Sequence, residues 1–269
     1  MAAPSTSTAS LRERMRAREA LLGTFQKIAH YHATELLAAG RLDYIVIDAE
    51  HAVFTRRELD ACLLAARAAG IAALVRLPDS SPSGILAALD MGAAGVVVPR
   101  VSSAAAARKI VAAAHYAAHD GLRGFSNSPR AGGYGRSSMR DHVMQSDQSV
   151  VVICQIEDVD AVEAIDDIAA VEGVHGLLVG PADLSLSYQC ESPADPVVAA
   201  AIQRVARAAR DHGVAAGIAL AGLDQAAPLA RDGFSFFIAG TDQSLLARGA
   251  LALAAHFQES VVSVGKEES

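Results

Sequence analysis

Short apolar runs alternate with longer amphipathic segments from one end of the chain to the other. An apolar run bounded by turn residues is typical of a buried strand, and an amphipathic segment that ends at glycine is typical of a helix. Eight strand–helix pairs are predicted on this basis. The strands are predicted at 23–28, 44–48, 72–77, 95–100, 150–157, 176–180, 215–220 and 234–239. The helices are predicted at 34–39, 55–69, 83–91, 102–118, 160–171, 196–212, 223–232 and 241–257.

Eight such pairs in 269 residues predict an α/β fold, a single-domain (β/α)8 TIM barrel that spans residues 21–258. An open sheet of six or seven strands is the alternative. Residues 1–20 are predicted to form a frayed tail and a solvated helix, and residues 259–269 a polar, mobile tail. Residues 120–147 are rich in Gly, Ser and Arg, so we expect a long loop that serves as a lid, an oligomer contact or both.

Ionisable side chains directly follow several predicted strands, at the ends where parallel α/β folds bind their ligands. Glu157 and Asp183 end two neighbouring strands, and such carboxylates suit a hard cation such as Mg²⁺ or Mn²⁺. The alternative for this pair is a helix cap or a salt bridge. Asp48, Glu50 and His51 follow the second strand, and histidine suits proton transfer near neutral pH. The alternative for His51 is a surface histidine without a role.

Arg76 ends the third predicted strand, where an arginine must be neutralised because burying it unpaired is costly. Its planar fork suits a substrate carboxylate or an enolate oxygen. The alternative is a salt bridge at the rim with Asp48, Glu50 or Asp90. Lys27 is the one candidate for a Schiff-base lysine, and we expect it to point outward or into a tight core.

Composition narrows the classes of function. The net charge is −7, aromatic residues make up 4% of the chain, and no basic stripe occurs, so nucleic-acid binding is not expected. No apolar run approaches the ~18 residues of a membrane span. Cys62, Cys154 and Cys190 are odd in number and form no CxxC pair, which predicts reduced thiols in a cytoplasmic protein.

From about Gly23 to about Phe257, the chain resembles the HpcH/HpaI aldolase family of metal-dependent class II pyruvate aldolases. The matching stretches are 47–52, 155–157 and 174–185, with supporting matches at 89–92, 97–99 and 121–124. The resemblance implies a (β/α)8 barrel. It also implies a homo-oligomer, namely a hexamer in which the last helix is exchanged between neighbouring subunits.

The resemblance also implies roles for individual residues. Glu157 and Asp183 would bind a divalent cation, Mg²⁺ or Mn²⁺ with Co²⁺ as a further alternative, and no organic cofactor would be needed. His51 would be the catalytic base with Asp48 beside it, and Arg76 would stabilise the pyruvate enolate.

Further residues would complete the site by the same resemblance. Gln155 and the backbone N–H groups of Ala182 and Asp183 would hold the keto acid. Asp90 and Glu50 would contact the catalytic side chains without touching the substrate. The first strand departs from the family pattern in the stretch that ends at Lys27.

The implied activity is that of a lyase that forms or cleaves a carbon–carbon bond between pyruvate, as its enolate, and an aldehyde. Its substrate would be a 4-hydroxy-2-oxo acid. Decarboxylation of oxaloacetate, or its condensation as in citrate synthesis, is the alternative within the same family. A barrel that binds a keto acid without catalysis is the alternative from a different class of protein.

Overall fold

The computed structural model describes residues 9–267, including every side chain in that range except those of His119 and residues 262–267. Eight parallel strands close into a barrel in chain order. The strands are β1 (Leu21–Gln26), β2 (Tyr44–Asp48), β3 (Ala72–Arg76), β4 (Gly95–Val98), β5 (Val151–Ile156), β6 (Gly176–Val179), β7 (Ala215–Leu220) and β8 (Phe234–Thr241). The predicted (β/α)8 barrel is confirmed, and the open sheet is wrong.

Helices surround the barrel and precede it. They are α1 (Leu11–Arg16), α2 (Tyr31–Ala39), α3 (Arg56–Ala69), α4 (Pro82–Asp90), α5 (Ala104–Ala114), α6 (Met139–Ser149), α7 (Val159–Glu163), α8 (Ile165–Ala169), α9 (Pro181–Ser187), α10 (Pro196–Asp211), α11 (Ala226–Arg231) and α12 (Asp242–Glu267). No helix within residues 9–267 combines the length and the apolar character needed to cross a membrane.

Local sequence explains the ends of α3. Thr55 and Glu58 form a reciprocal capping box, with the Thr55 side chain accepting from the Glu58 backbone N–H and the Glu58 side chain accepting from the Thr55 N–H. Gly70 follows the helix with φ 71°, a left-handed conformation that glycine adopts without steric cost. Both ends of this helix are therefore fixed by the residues that predicted them.

The core has two layers. One lies between the strands and the surrounding helices, and the other fills the inside of the barrel. Phe236 is a large member of the inner layer, and a Cβ on Gly217 would lie 2.0 Å from its ring. Glycine at 217 is therefore required by close packing. Cys62, Cys154 and Cys190 are free, and burial raises the pKa of Cys154 to about 12.

The N-terminal helix is not the solvated helix that the sequence predicts. Leu11 and Met15 of α1 are buried against the inner layer of the barrel core. They lie four residues apart, so they share one face of the helix. Residues 1–8 of the predicted tail lie outside the described residues. The helix α1 therefore forms the floor of the barrel.

Two other segments differ from prediction. The segment 120–147 is not one continuous loop, because α6 begins at Met139 after the Ser138 cap. The sequence of α6 is largely polar, so it lacks the apolar periodicity from which a helix is predicted. The last helix runs to Glu267 instead of ending at 257, so it includes most of the segment predicted as a mobile tail. No proline occurs in that segment to stop the helix.

Candidate active site

A buried ion pair lies at the carboxyl ends of β2 and β3. Arg76 donates from Nε to Asp48 Oδ1 at 2.9 Å and from Nη2 to Asp48 Oδ2 at 2.7 Å. The two residues are paired across the strands, so the register of the sheet brings them together. Asp48 is fully buried and Arg76 is 6% exposed. The neutralisation that a buried arginine requires is thus provided within the chain.

Asp48 also receives contacts from its neighbours. The backbone N–H of His51 donates to Oδ1 at 3.1 Å, and Lys27 Nζ lies 3.3 Å from Oδ2. Burial raises the pKa of this carboxyl, but hydrogen bonds and charge from Arg76, the His51 N–H and the charge of Lys27 outweigh burial. The pKa of Asp48 is therefore lowered. The Asp48 carboxylate therefore contacts residues at the ends of β1, β2 and β3.

Lys27 points into the site, so the expectation that it points outward or into a tight core is wrong. Its Nζ faces Asp48, while its backbone N–H donates to Asp242 Oδ1 at 2.9 Å. Phe25 lies beneath the guanidinium of Arg76, with 4.3 Å between the ring centre and Cζ, which is a cation–π contact. Phe25 and Lys27 are two residues apart, the spacing that places side chains on one face of a strand. This two-residue spacing is the sequence signal that could have predicted Phe25 and Lys27 to lie together at the site.

The imidazole of His51 faces Glu50. Its side chain is 50% exposed, and Nε2 lies 3.6 Å from Glu50 Oε2. The same oxygen lies 3.4 Å from Arg76 Nε and accepts no hydrogen bond among the described residues. Asp48, by contrast, binds the backbone of His51. The carboxylate placed to orient the imidazole is thus Glu50.

Glu157 directly follows β5 and is buried. Its Oε1 accepts from the backbone N–H of Arg100 at 2.9 Å, and its Oε2 accepts from Gln155 Nε2. Burial raises the pKa of Glu157, the charges of Glu50 and Asp183 raise it further, and the two hydrogen bonds lower it less. The pKa of Glu157 therefore lies above its ordinary value. A nearby cation would stabilise the ionised form.

Gly180 leaves room for this carboxylate. A Cβ at that position would lie 3.1 Å from Glu157 Oε2 and 3.3 Å from Gln155 Nε2. Gln155 is itself buried, and its Oε1 has no hydrogen-bond partner within the described residues. An unsatisfied buried amide oxygen is costly, so this atom is suited to accept from a bound molecule.

Asp183 lies in the first turn of α9, which begins at Pro181, one residue after β6 ends at Val179. The backbone N–H groups of Ala182 and Asp183 belong to that turn, where N–H groups lack partners inside the helix. Both residues are exposed. A cleft of about 150 Å³ opens at this rim, lined by Glu50, His51, Arg100, Glu157, Asp158 and Asp183. The sequence alone did not single out Asp158.

The cleft suits a metal that needs few protein ligands. Within the part of the chain whose side chains are described, no group of three or more His, Cys, Asp or Glu residues could hold a metal ion. Mg²⁺, however, usually binds one or two carboxylates and keeps waters or substrate oxygens in its other positions. The raised pKa of Glu157 beside Asp183 fits a cation between them.

Asp90 lies away from this cleft. It ends α4, which follows β3 and runs back towards the other end of the barrel. Its Oδ1 accepts from Arg123 Nη2 at 2.9 Å. Among the described residues, no hydrogen bond or ion pair joins Asp90 to His51 or Arg76. Within a single chain, Asp90 therefore does not support the catalytic side chains.

Comparison with known families agrees with this geometry. The family model described as HpcH/HpaI aldolase/citrate lyase matches residues 21–249, most of the chain. The chain belongs to the HpcH/HpaI family. It is accordingly a lyase, and its barrel is the fold of that family.

Individual HpcH/HpaI relatives are similar over nearly their whole length. A hydroxypyruvate/pyruvate aldolase from Pseudomonas aeruginosa is 33% identical over 249 residues, with 92% of each chain covered. A solved HpcH/HpaI aldolase/citrate lyase family protein from Burkholderia cenocepacia has a TM-score of 0.87 at 31% identity, covering 92% of this chain and 98% of that one. A solved citrate synthase, SbnG, has a TM-score of 0.84 at 30% identity, covering 93% and 98%.

Proposed function

We propose that this HpcH/HpaI protein is a divalent-metal-dependent aldolase that forms or cleaves the bond between pyruvate, as its enolate, and an aldehyde. Its substrate would be a 4-hydroxy-2-oxo acid. The observation that carries the proposal is that Glu157, Asp183 and His51 line one cleft at the barrel rim, with Arg76 Nε 3.4 Å from Glu50 of the same cleft. The similarity to pyruvate aldolases supports it.

Glu157 and Asp183 would hold the cation. Mg²⁺ or Mn²⁺ bound there would supply Lewis-acid stabilisation of the negative charge that develops on the keto oxygen. Arg76 uses Nε and Nη2 for Asp48, and its Nη1 has no hydrogen-bond acceptor among the described residues, so Nη1 would donate to that oxygen. The backbone N–H groups of Ala182 and Asp183 would bind the carboxylate of the keto acid.

The proton of the 4-hydroxyl would be transferred at the end of the substrate away from the carboxylate. His51 is half exposed on the cleft wall, where its imidazole can take the proton from the 4-hydroxyl during cleavage and return it during addition. Glu50 would orient the ring. Gln155 Oε1, which lacks a partner, would accept from the substrate or from a water bound beside it.

The test is deuterium exchange of the pyruvate methyl group, followed by NMR. We expect exchange with Mg²⁺ or Mn²⁺, loss of exchange with EDTA, and loss in Glu157→Gln, which removes one proposed ligand. Glu163→Gln is the matched control, because Glu163 is exposed and pairs with Arg204 on the outside of the barrel. Absence of exchange in the wild type with either metal would refute the proposal.

A second candidate is condensation or decarboxylation of oxaloacetate, which the similarity to a citrate synthase favours. The same residues would stabilise the same enolate, so only the reaction partner differs. Pyruvate formation from oxaloacetate, together with methyl exchange but no cleavage of 4-hydroxy-2-oxo acids, would favour this candidate.

The proposed setting is the cytoplasm, in agreement with three free cysteines. The proposed assembly is a homo-oligomer, with a hexamer as the expected size. The partners of the reaction are small molecules, a 2-oxo acid and an aldehyde.

A further inference from the structure

A second cavity lies at the opposite end of the barrel from the catalytic cleft. Its volume is about 230 Å³, larger than that of the cleft, and it opens where α1 meets the segments that lead into β6 and β7. Arg12, Arg16 and His175 line it, and its other lining residues among those described are glycine, valine and alanine. Four carboxylates line the catalytic cleft, whereas none lines this cavity. Its wall is therefore basic.

The two arginines project from one face of α1. They lie four residues apart on the helix, next to the face that buries Leu11 and Met15. Arg16 is exposed, and its guanidinium forms no hydrogen bond or ion pair with a described residue. Arg12 is partly buried and donates one hydrogen bond, from Nη1 to the backbone carbonyl of Asp147. Both guanidinium groups therefore keep donors for a bound molecule.

The two guanidinium charges also repel each other. Burial lowers the pKa of Arg12, the charge of Arg16 lowers it further, and the charge of Asp147 raises it less. Like charges that lie close together destabilise each other's ionised forms. An anion that contacts both arginines would remove this repulsion.

His175 adds a donor without adding charge. Its Nδ1 accepts from the backbone N–H of Val152 at 3.0 Å, so the proton of the neutral ring is on Nε2. Burial, followed by the charges of Arg12 and His115, lowers the pKa of His175 to about 3, so the ring is neutral at neutral pH. The Nε2–H has no acceptor among the described residues. It is therefore available to a ligand in the cavity.

We propose that Arg12, Arg16 and His175 form an anion-binding site, the floor site, for a phosphate dianion, either free or as the phosphate group of a small molecule. Two guanidinium charges balance a dianion, and each planar guanidinium can donate two parallel hydrogen bonds to its oxygens. The ligand would bridge α1 and the segment before β6, so binding would also stabilise α1 on the barrel. The floor site does not depend on the proposed aldolase activity.

The test is calorimetric titration of the full chain with inorganic phosphate, at constant ionic strength and about pH 8, where the dianion predominates. We expect one phosphate to bind per chain. In Arg16→Gln, Kd should rise about tenfold, the order of magnitude of a lost charge-assisted hydrogen bond. Arg16→Lys should retain part of the affinity, because it keeps the charge. Tighter binding of glycerol 3-phosphate would assign the site to a phosphate ester, and tighter binding of inorganic phosphate to the free ion.

Arg67→Gln is the matched control, because Arg67 is an exposed arginine in the last turn of α3 that does not line the cavity. Its Kd should equal that of the wild type. Thermal unfolding in phosphate-free buffer should give the same Tm for Arg16→Gln and the wild type, since Arg16 is exposed. Added phosphate should raise Tm in the wild type and hardly at all in Arg16→Gln.

Mg²⁺ separates the floor site from the catalytic cleft. Phosphate bound to a cation in the cleft would need the metal, whereas the floor site should give the same Kd with Mg²⁺ and with EDTA. Phosphate binding that requires Mg²⁺, an unchanged Kd in Arg16→Gln, or equal affinity for acetate would overturn the inference. Absence of phosphate binding in the wild type would do the same. None of these outcomes would affect the aldolase proposal.

Discussion

Asp48 stabilises the site because several donors converge on its carboxylate. Replacement by asparagine keeps the size but removes the charge, leaving Arg76 buried with only the more distant Glu50 nearby. We expect Asp48→Asn to lower the free energy of unfolding by about 3 kcal/mol, as for other broken buried pairs. Urea denaturation measures this, with the exposed Asp79→Asn as control. A loss below about 0.5 kcal/mol would show that the pair contributes little.

The lowered pKa of Asp48 predicts a dependence of stability on pH. A group whose pKa is lower in the folded state stabilises the fold above its unfolded pKa, about 3.9 for aspartate, and this contribution is lost as the pH falls through the folded value. We therefore expect wild-type stability to fall below about pH 4. Asp48→Asn should show a shallower decline over the same range, measured by thermal unfolding.

The pKa shift of Glu157 affects stability with the opposite sign. Its pKa is raised, so ionisation at neutral pH destabilises the fold, and a bound cation would relieve this. A cation at 100 times its Kd would add about 2.7 kcal/mol of stability. We expect Mg²⁺ or Mn²⁺ to raise Tm by several degrees. In Glu157→Gln, Tm without metal should be higher than in the wild type and should hardly respond to the cation. An equal response in both proteins would place the cation elsewhere.

At the level of elements, α1 is a structural part of the barrel. Met15 is 2% exposed and packs against the inner core, and Ser10 forms a capping box with Glu13. We expect Met15→Ala to lower the free energy of unfolding by about 2–5 kcal/mol, the cost of a large-to-small core substitution. Ser10→Ala should cost about 1 kcal/mol through loss of the cap. Guanidinium denaturation of both variants, with the exposed Arg16→Ala as control, measures these values.

Elements were predictable where the signal is local. Thr55 and Gly70 mark both ends of α3, and the apolar run 44–48 coincides with β2. The polar helix α6 was missed because tertiary contacts stabilise it without an apolar stripe. The short helix α9 is absent from the predicted helices, since seven residues contain no full periodic pattern.

At the level of the whole molecule, α12 presents apolar side chains that no described part of the chain covers. Its exposed large side chains are Leu245, Leu246, Leu251, Leu253, Phe257 and Val261. Leu246, Leu253, Phe257 and Val261 share one face of the helix by their spacing. Exposed apolar faces of this kind mark interaction sites. We expect an oligomer, a hexamer by the family resemblance, in light scattering after size exclusion. Leu253→Asp with Phe257→Asp should shift the protein towards smaller species, whereas Gln258→Asp on the same helix should not.

The barrel itself explains how much of the site could be predicted. Once the strands are parallel and closed, Asp48, Glu157 and Asp183 must meet at one rim, and their positions at strand ends indicate this from sequence. The facing of His51 towards Glu50, and of Lys27 towards Asp48, depends on rotamers and on spacing between strands. Those contacts are not encoded locally, so the structure was needed to find them.

The contact between Phe25 and Arg76 has a practical consequence. The chain contains no tryptophan. Phe25→Trp would therefore install a single indole fluorophore directly beneath the guanidinium, with no other tryptophan emission from the chain. Its emission would change when a keto acid accepts a hydrogen bond from Arg76. Ligand binding could therefore be titrated by fluorescence without turnover and without knowing the second substrate.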